Sequence, residues 1–202
     1  ILFNVKSRSV LAQQSFLLPV ENNNAEKINN IPAEITRLPQ PLSEAIIYFE
    51  SLVQVSDLIV AHNAEFDKKW FGLNKLPRIE KPWICSMDDM TWPADRQLKT
   101  RPSVRDLALA YGVPVWNAHR ALTDCIYLAE VFKRCSDFEK LLIRGLEPKI
   151  LVCAEISYEE RHLAKNSGFR WNDAIKGAWS RKMSRRDIEK LEFPVHEVES
   201  QS

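Results

Sequence analysis

Along residues 1–20 apolar and polar positions alternate in two stretches, Ile1 to Val5 and Val10 to Val20. The polar run Lys6 to Ser9 separates them, which predicts a β-hairpin. Glu21 to Pro41 is rich in Asn and Pro and predicts loop with at most a short helical turn. From Leu42 to Val55 the period lengthens, and Ile46, Phe49 and Leu52 or Val53 recur at three- and four-residue spacing, as one face of a helix requires. Asp57 to His62 (DLIVAH) is a short continuous apolar run, the pattern of a strand buried on both faces. A helix should follow over about Ala64 to Leu73, with Phe66, Trp70 and Leu73 on its apolar face, and then a strand over Pro82 to Met87. Ser103 and Asp106 have capping-box spacing, Val104, Leu107, Ala108 and Tyr111 form the face behind them, and Gly112 ends that helix. A longer helical pattern runs from about His119 to Cys135 and on towards Ile143.

The pattern changes around Gly145 to Pro148, which divides the chain into a larger unit over residues 1–146 and a small α+β module over 147–202. The module reads strand (Ile150 to Ile156), helix, two strands, helix, strand, with capping pairs Ser157/Glu160 and Ser184/Asp187 at its helix starts. Asn172 to Gly177 should link two short strands containing Trp171 and Trp179. Such a small unit has too little core to stand alone and is expected to lean on its neighbour.

A chain of 202 residues that is 45% hydrophobic and 27% charged is an ordinary globular composition. Nothing approaches the roughly 20 unbroken apolar residues of a membrane-spanning helix, and no signal peptide opens the chain. Four scattered cysteines (Cys85, Cys125, Cys135, Cys153) without a Cys-x-x-Cys pair speak against a disulfide framework or zinc knuckle, so a reducing, cytoplasmic setting is expected. The 28 basic residues against 27 acidic ones exclude a global positive field, so a polyanionic partner must be held by local groups. One such group is the cluster Lys176, Arg181, Lys182, Arg185 and Arg186, interleaved with Phe169, Trp171 and Trp179, which could offer a nucleic-acid grip. The alternative is that the tryptophans form the small core and the cations a solvated face.

Two motifs carry candidate chemistry. His62-Asn63-Ala64-Glu65-Phe66-Asp67 lies where a buried strand hands over to a helix, a place where ligands and metals collect in α/β sheets. Its plainer reading is a capping Asn63 with Asp67 complementing the helix dipole. His119-Arg120-Ala121-Leu122-Thr123-Asp124 puts a histidine at or just before a helix start and a carboxylate in its first turn.

In this order, HNAEFD and HRALTD resemble the motifs of the histidine subclass of the DEDD superfamily of 3′–5′ exonucleases, and are most similar to the epsilon proofreading subunits of bacterial DNA polymerase III. The likeness covers about residues 1–140, including the hairpin, Ile31-Pro32 and the segment Ser103 to Gly112. It implies a ribonuclease H-like α/β fold, a mixed central sheet flanked by helices, and metal-dependent hydrolysis at the single-stranded 3′ end of DNA, with a DNA polymerase as a possible partner. Two Mg²⁺ or Mn²⁺ ions would hold the attacking and leaving oxygens at phosphorus. Carried over, Asp67 and Asp124 are metal ligands, His119 the general base, and Asn63 and Phe66 parts of the nucleotide pocket, while His62 packs or bonds at the strand end.

The family draws two further carboxylates from an Asp-x-Glu motif on a first strand that precedes the hairpin. Ile1 opens directly on the hairpin, and neither Asp88-Asp89 nor Glu155 is a convincing replacement. The expectation is therefore that a preceding segment exists in the parent protein and that the polypeptide 1–202 is poorly active or inactive. RNA is the alternative substrate, and a non-catalytic nucleic-acid-binding protein on a degenerate exonuclease fold is the alternative class.

Overall fold

The computed structural model describes residues 1–73, 76–116 and 120–198. The architecture is mixed α/β, with several helices and small sheets and no barrel. The chain order is β1 (Leu2–Asn4), β2 (Ser9–Ala12), α1 (Glu26–Asn29), α2 (Ala33–Thr36), α3 (Leu42–Val55), β3 (Ile59–Ala61), α4 (Ala64–Lys68) and β4 (Trp83–Cys85). It continues through α5 (Val104–Ala110), α6 (Ala121–Arg134), α7 (Phe138–Gly145), β5 (Lys149–Ala154), α8 (Arg161–Asn166), β6 (Arg170–Trp171), β7 (Trp179–Ser184), α9 (Arg185–Ile188) and β8 (Val195–Glu197). No helix among the described residues is long and apolar enough to cross a membrane.

Strands β1 and β2 form the expected antiparallel hairpin, but β2 ends at Ala12 instead of running to Val20. Glutamine side chains replace the strand ladder beyond it. Gln14 Nε2 donates to the Ala45 carbonyl at 2.6 Å, and the Gln40 amide exchanges hydrogen bonds with the Leu17 backbone at 2.9 and 3.3 Å. Arg8, in the hairpin turn with φ 55°, donates to the carbonyls of Phe132 and Cys135 at 2.8 and 3.0 Å. A cation is thereby set on the C-terminal carbonyls of α6, where the helix dipole favours it. Here the chain turns extended at Cys135, so α6 and α7 are two helices and the predicted continuation to Ile143 is broken.

In the larger unit the strands make two separate two-stranded sheets, β1-β2 and β3-β4, so the single central sheet implied by the resemblance is not present among the described residues. Strands β3 and β4 run parallel, pairing Val60 with Ile84. The DLIVAH run is only half-buried, where burial on both faces was expected, because β3 has a strand neighbour on one side alone among the described residues. The core lies instead between β4 and helices α5, α6 and α7, around Ile84, Leu107, Tyr127, Val131, Phe132 and Phe138. Phe132 and Phe138 stack at 4.1 Å, and Phe3 of β1 meets both edge-on at 6.1 Å. The α5 capping box forms as spaced: Ser103 Oγ accepts from Asp106 N at 3.1 Å, and the Ser103 backbone N–H donates to the Asp106 carboxylate at 2.9 Å.

The C-terminal module is an antiparallel sheet in the order β6-β7-β5-β8, with Val152, Ala164, Phe169 and Met183 as its small core. Its seam with the larger unit is ionic. Asp88, just after β4, takes two hydrogen bonds from Arg101 at 2.5 and 3.0 Å and faces Arg170 of β6 at 3.5 Å, while Arg181 of β7 donates to the Asp88 carbonyl at 3.2 Å. Asp89 pairs with Lys149 of β5 at 3.3 Å and accepts from the Cys85 N–H at 2.7 Å. Further across the seam, Thr100 donates to the Asn166 carbonyl and Arg181 to that of Ser167. Gly168 sits between these groups with φ +80°, and an added Cβ would lie 3.0 Å from both Arg181 and Thr100.

Gly145, the last residue of α7, lies where that helix touches β4, and a Cβ there would stand 2.8 Å from Ile84 Cγ2. Ile84 is fully buried and has no room to yield. Gly145→Ala is therefore expected to destabilise by about 1–3 kcal/mol through overpacking, more than the ~1 kcal/mol that alanine gains in a helix; a urea midpoint at or above the parent's refutes this. Asp88→Ala should cost about 1–3 kcal/mol by leaving the Arg101 guanidinium without its carboxylate, read as a lower urea midpoint with an unchanged m-value.

Candidate active site at the ends of β3 and β4

Because β3 and β4 are parallel, their C-terminal ends open on the same side, and the HNAEFD motif begins there. Asn63 holds the turn in the left-handed region at φ 68°, a conformation Asn tolerates better than most side chains. Its side chain makes no cap hydrogen bond, so the plain capping role does not hold. The α4 start is instead fastened through Ala64, whose N–H donates to Cys85 Sγ at 3.4 Å.

His62 belongs to the frame. Its Nδ1 lies 3.0 Å from Ser86 Oγ, and the Ser86 hydroxyl reaches the Ala61 carbonyl at 3.4 Å. Its other ring nitrogen, Nε2, is buried. Burial lowers the His62 pKa, against the pull of the nearby Asp88 charge, so the ring is neutral near pH 7.

Asp67 on α4 is half-buried, and burial raises its carboxyl above the ordinary value. Asp124 occupies the first turn of α6, its N–H donating to the Arg120 carbonyl at 2.9 Å. Cys125 follows Asp124 and feels the charge of Asp67 from the first motif. Neighbouring atoms crowd its thiol although the residue as a whole is exposed, and this crowding raises the thiol pKa, with the Asp124 and Asp67 charges adding to the rise. Arg120 also ties this corner to the N-terminal loops by donating to the Asn29 carbonyl at 3.2 Å. His119, the expected general base, lies outside the described residues. Among the described residues no group of three or more His, Cys, Asp or Glu is gathered to hold a metal ion.

Phe66 is exposed, and so are Trp70 and Leu73, which the periodicity had placed on a buried face. The reason is that α4 stops at Lys68, so the remaining residues never complete an apolar stripe. The basic cluster of the C-terminal module is not one surface. Arg181 and Lys182 alternate to opposite faces of β7, and Arg181 points into the seam. Arg185 pairs with Glu197 at 3.2 Å and Arg186 with Glu147 at 3.6 Å, whereas Lys176 and Lys182 are exposed without an ion-pair partner among the described residues. The tryptophans divide the two readings between them: Trp179 packs on the small core and Trp171 is exposed. The sequence missed Asp88 as the seam's anchor, and its only signal was an acidic pair directly after a strand.

The depressed His62 pKa has a pH consequence. Stability carried by the neutral ring is fully present above the unfolded value of 6.5 and is lost as pH falls from there through the folded value. His62→Gln is expected to flatten this decline, read as a smaller drop in urea midpoint between about pH 7.5 and about pH 5.5 than the parent shows. An equal drop in both proteins would assign the decline to other groups.

Residues 150–198, from β5 through β8, match a family described as a domain of unknown function, DUF8626. No curated protein and no solved structure matches the chain.

Proposed function

We propose that the protein is a metal-dependent 3′–5′ exonuclease acting on DNA, with a ribonuclease H-like catalytic unit over residues 1–146. The reading is supported by the placement of two sequence-distant carboxylates in the positions that the resemblance requires, Asp67 on α4 directly after β3 and Asp124 in the first turn of α6.

The donor set suits Mg²⁺ or Mn²⁺. Asp67 is a half-buried carboxylate with no ion-pair partner among the described residues, the kind of hard oxygen donor such cations take. When bound, two such ions lower the pKa of an attacking water and stabilise charge on the leaving oxygen. Asp67 and Asp124 would hold them. His119, placed by sequence just before α6, would take the proton of the attacking water. Phe66, exposed on α4 one residue before Asp67, would pack against the terminal base.

The test is release of nucleoside 5′-monophosphates from 3′-labelled single-stranded DNA, and in parallel from RNA, with Mn²⁺ or Mg²⁺. The assay should use both the polypeptide 1–202 and the natural protein with any sequence preceding Ile1. Activity should be metal-dependent and fall about a hundredfold or more in Asp124→Ala or Asp67→Asn. Metal-dependent release that survives both substitutions, or none from the longer form, would overturn the reading.

A further inference from the structure

The turn after β4 is gripped by the C-terminal module on one side and holds the start of α4 on the other. The Cys85 N–H donates to Asp89 Oδ2 at 2.7 Å, and the Cys85 thiol donates to Asp88 Oδ2 at 3.6 Å while accepting from the Ala64 N–H at 3.4 Å. Each of these two carboxylates also meets a cation of the module. Arg170 of β6 stands 3.5 Å from Asp88 Oδ2, the oxygen that the thiol contacts, and Lys149 of β5 stands 3.3 Å from Asp89 Oδ1. Arg181 of β7 adds a hydrogen bond to the Asp88 carbonyl at 3.2 Å. A continuous chain of polar contacts thus runs from three strands of the module, through Asp88, Asp89 and Cys85, to the first residue of α4. That helix depends on such support. It has five residues, far short of the roughly 12–15 an isolated helix needs, and Asn63 gives it no side-chain cap. The sulfur that receives its first N–H is a weak acceptor, so a small displacement of Cys85 is enough to break the bond.

We propose that the C-terminal module is a positioning clamp for the HNAEFD turn: its cations keep Asp88 and Asp89 against Cys85, Cys85 keeps the Ala64 N–H, and undocking the module frays α4 without unfolding either core. Seam and helix are then coupled, so that weakening one raises local opening of the other. Arg101 belongs to the larger unit and forks Asp88 by itself, but it leaves Asp89 to Lys149, and Asp89 is the carboxylate that fixes the Cys85 backbone. The module therefore supplies a hold that the larger unit does not duplicate. The seam is also the salt-sensitive part of the molecule. Arg170 and Asp88 have side chains 38% and 31% exposed, and ions screen such pairs while leaving the apolar cores intact. Asp67 lies on the same short helix, so the docked module holds the carboxylate of the first motif as well. The clamp concerns position alone and stands whatever reaction that carboxylate serves.

The experiment follows two local readouts in the full chain under native conditions: amide hydrogen exchange over residues 62–71, and alkylation of each cysteine by iodoacetamide, both located by mass spectrometry. Lys149→Gln combined with Arg170→Gln should speed the exchange and the labelling of Cys85 about fivefold or more, as expected for the loss of two partly exposed ion pairs. Raising the salt to about 1 M should act on the parent in the same direction. Cys135 and Cys153, buried in the larger unit and the module, report general unfolding and should label at the parent's rate. Cys85→Ala cuts the chain of contacts, so in that background the two seam substitutions should leave exchange over residues 62–71 unchanged. Equal exchange in parent and double variant overturns the clamp, and so does labelling of Cys85 and Cys135 that rises in step. Faster labelling of Cys85 with unchanged exchange ends the chain at the thiol and refutes the proposal, as does a seam effect on exchange that persists in Cys85→Ala. Neither readout involves nucleic acid or metal, so the clamp and the exonuclease reading stand or fall separately.

Discussion

The negative charge placed directly after β4 is the constraint on which the two parts of the molecule depend. Asp88 and Asp89 would repel each other and the chain end of β4 if left in a half-buried turn, and the structure answers with cations from three elements. Arg101 grips Asp88 in a two-bond fork, Arg170 approaches it from β6, and Lys149 of β5 neutralises Asp89. A forked guanidinium–carboxylate pair fixes direction as well as distance. The C-terminal sheet is therefore set on the larger unit in one orientation, although its own core is small.

The same turn governs the candidate site. Cys85 accepts from the Ala64 N–H, and Ser86 holds His62, so the residues that open α4 take their positions from the segment that Asp88 and Asp89 anchor. Charge at the seam and geometry at the motif are two ends of one five-residue stretch, Cys85 to Asp89. The His62 ring, neutral near pH 7 and largely buried, bonds to Ser86 and fixes the end of β3.

Two kinds of surface result. Around α5, α6 and α7 aromatic and aliphatic side chains interlock, and even one added methyl at Gly145 meets Ile84 at 2.8 Å. On α4 the opposite holds: helix, aromatic pair and lysine are presented outward beside the carboxylates.

Local rules in the sequence determined the long helix Leu42–Val55, the Ser103–Asp106 capping box, the hairpin and the order of elements in the C-terminal module, because period, caps and turn residues act over a few neighbours. They also placed Asn63 and Asp67 at a strand-to-helix junction and Asp124 in a first helical turn. Tertiary structure alone decided the rest. The period along α4 could not reveal that Phe66 and Trp70 stay exposed, since burial depends on whether another element arrives to cover them. Five nearby cations in the sequence could not show that Arg181 turns into a seam and that Arg185 and Arg186 meet acids, since charges pair across space and a strand sends neighbours to opposite faces. Sequence spacing sets what each element is, and only packing sets which of its faces meets water.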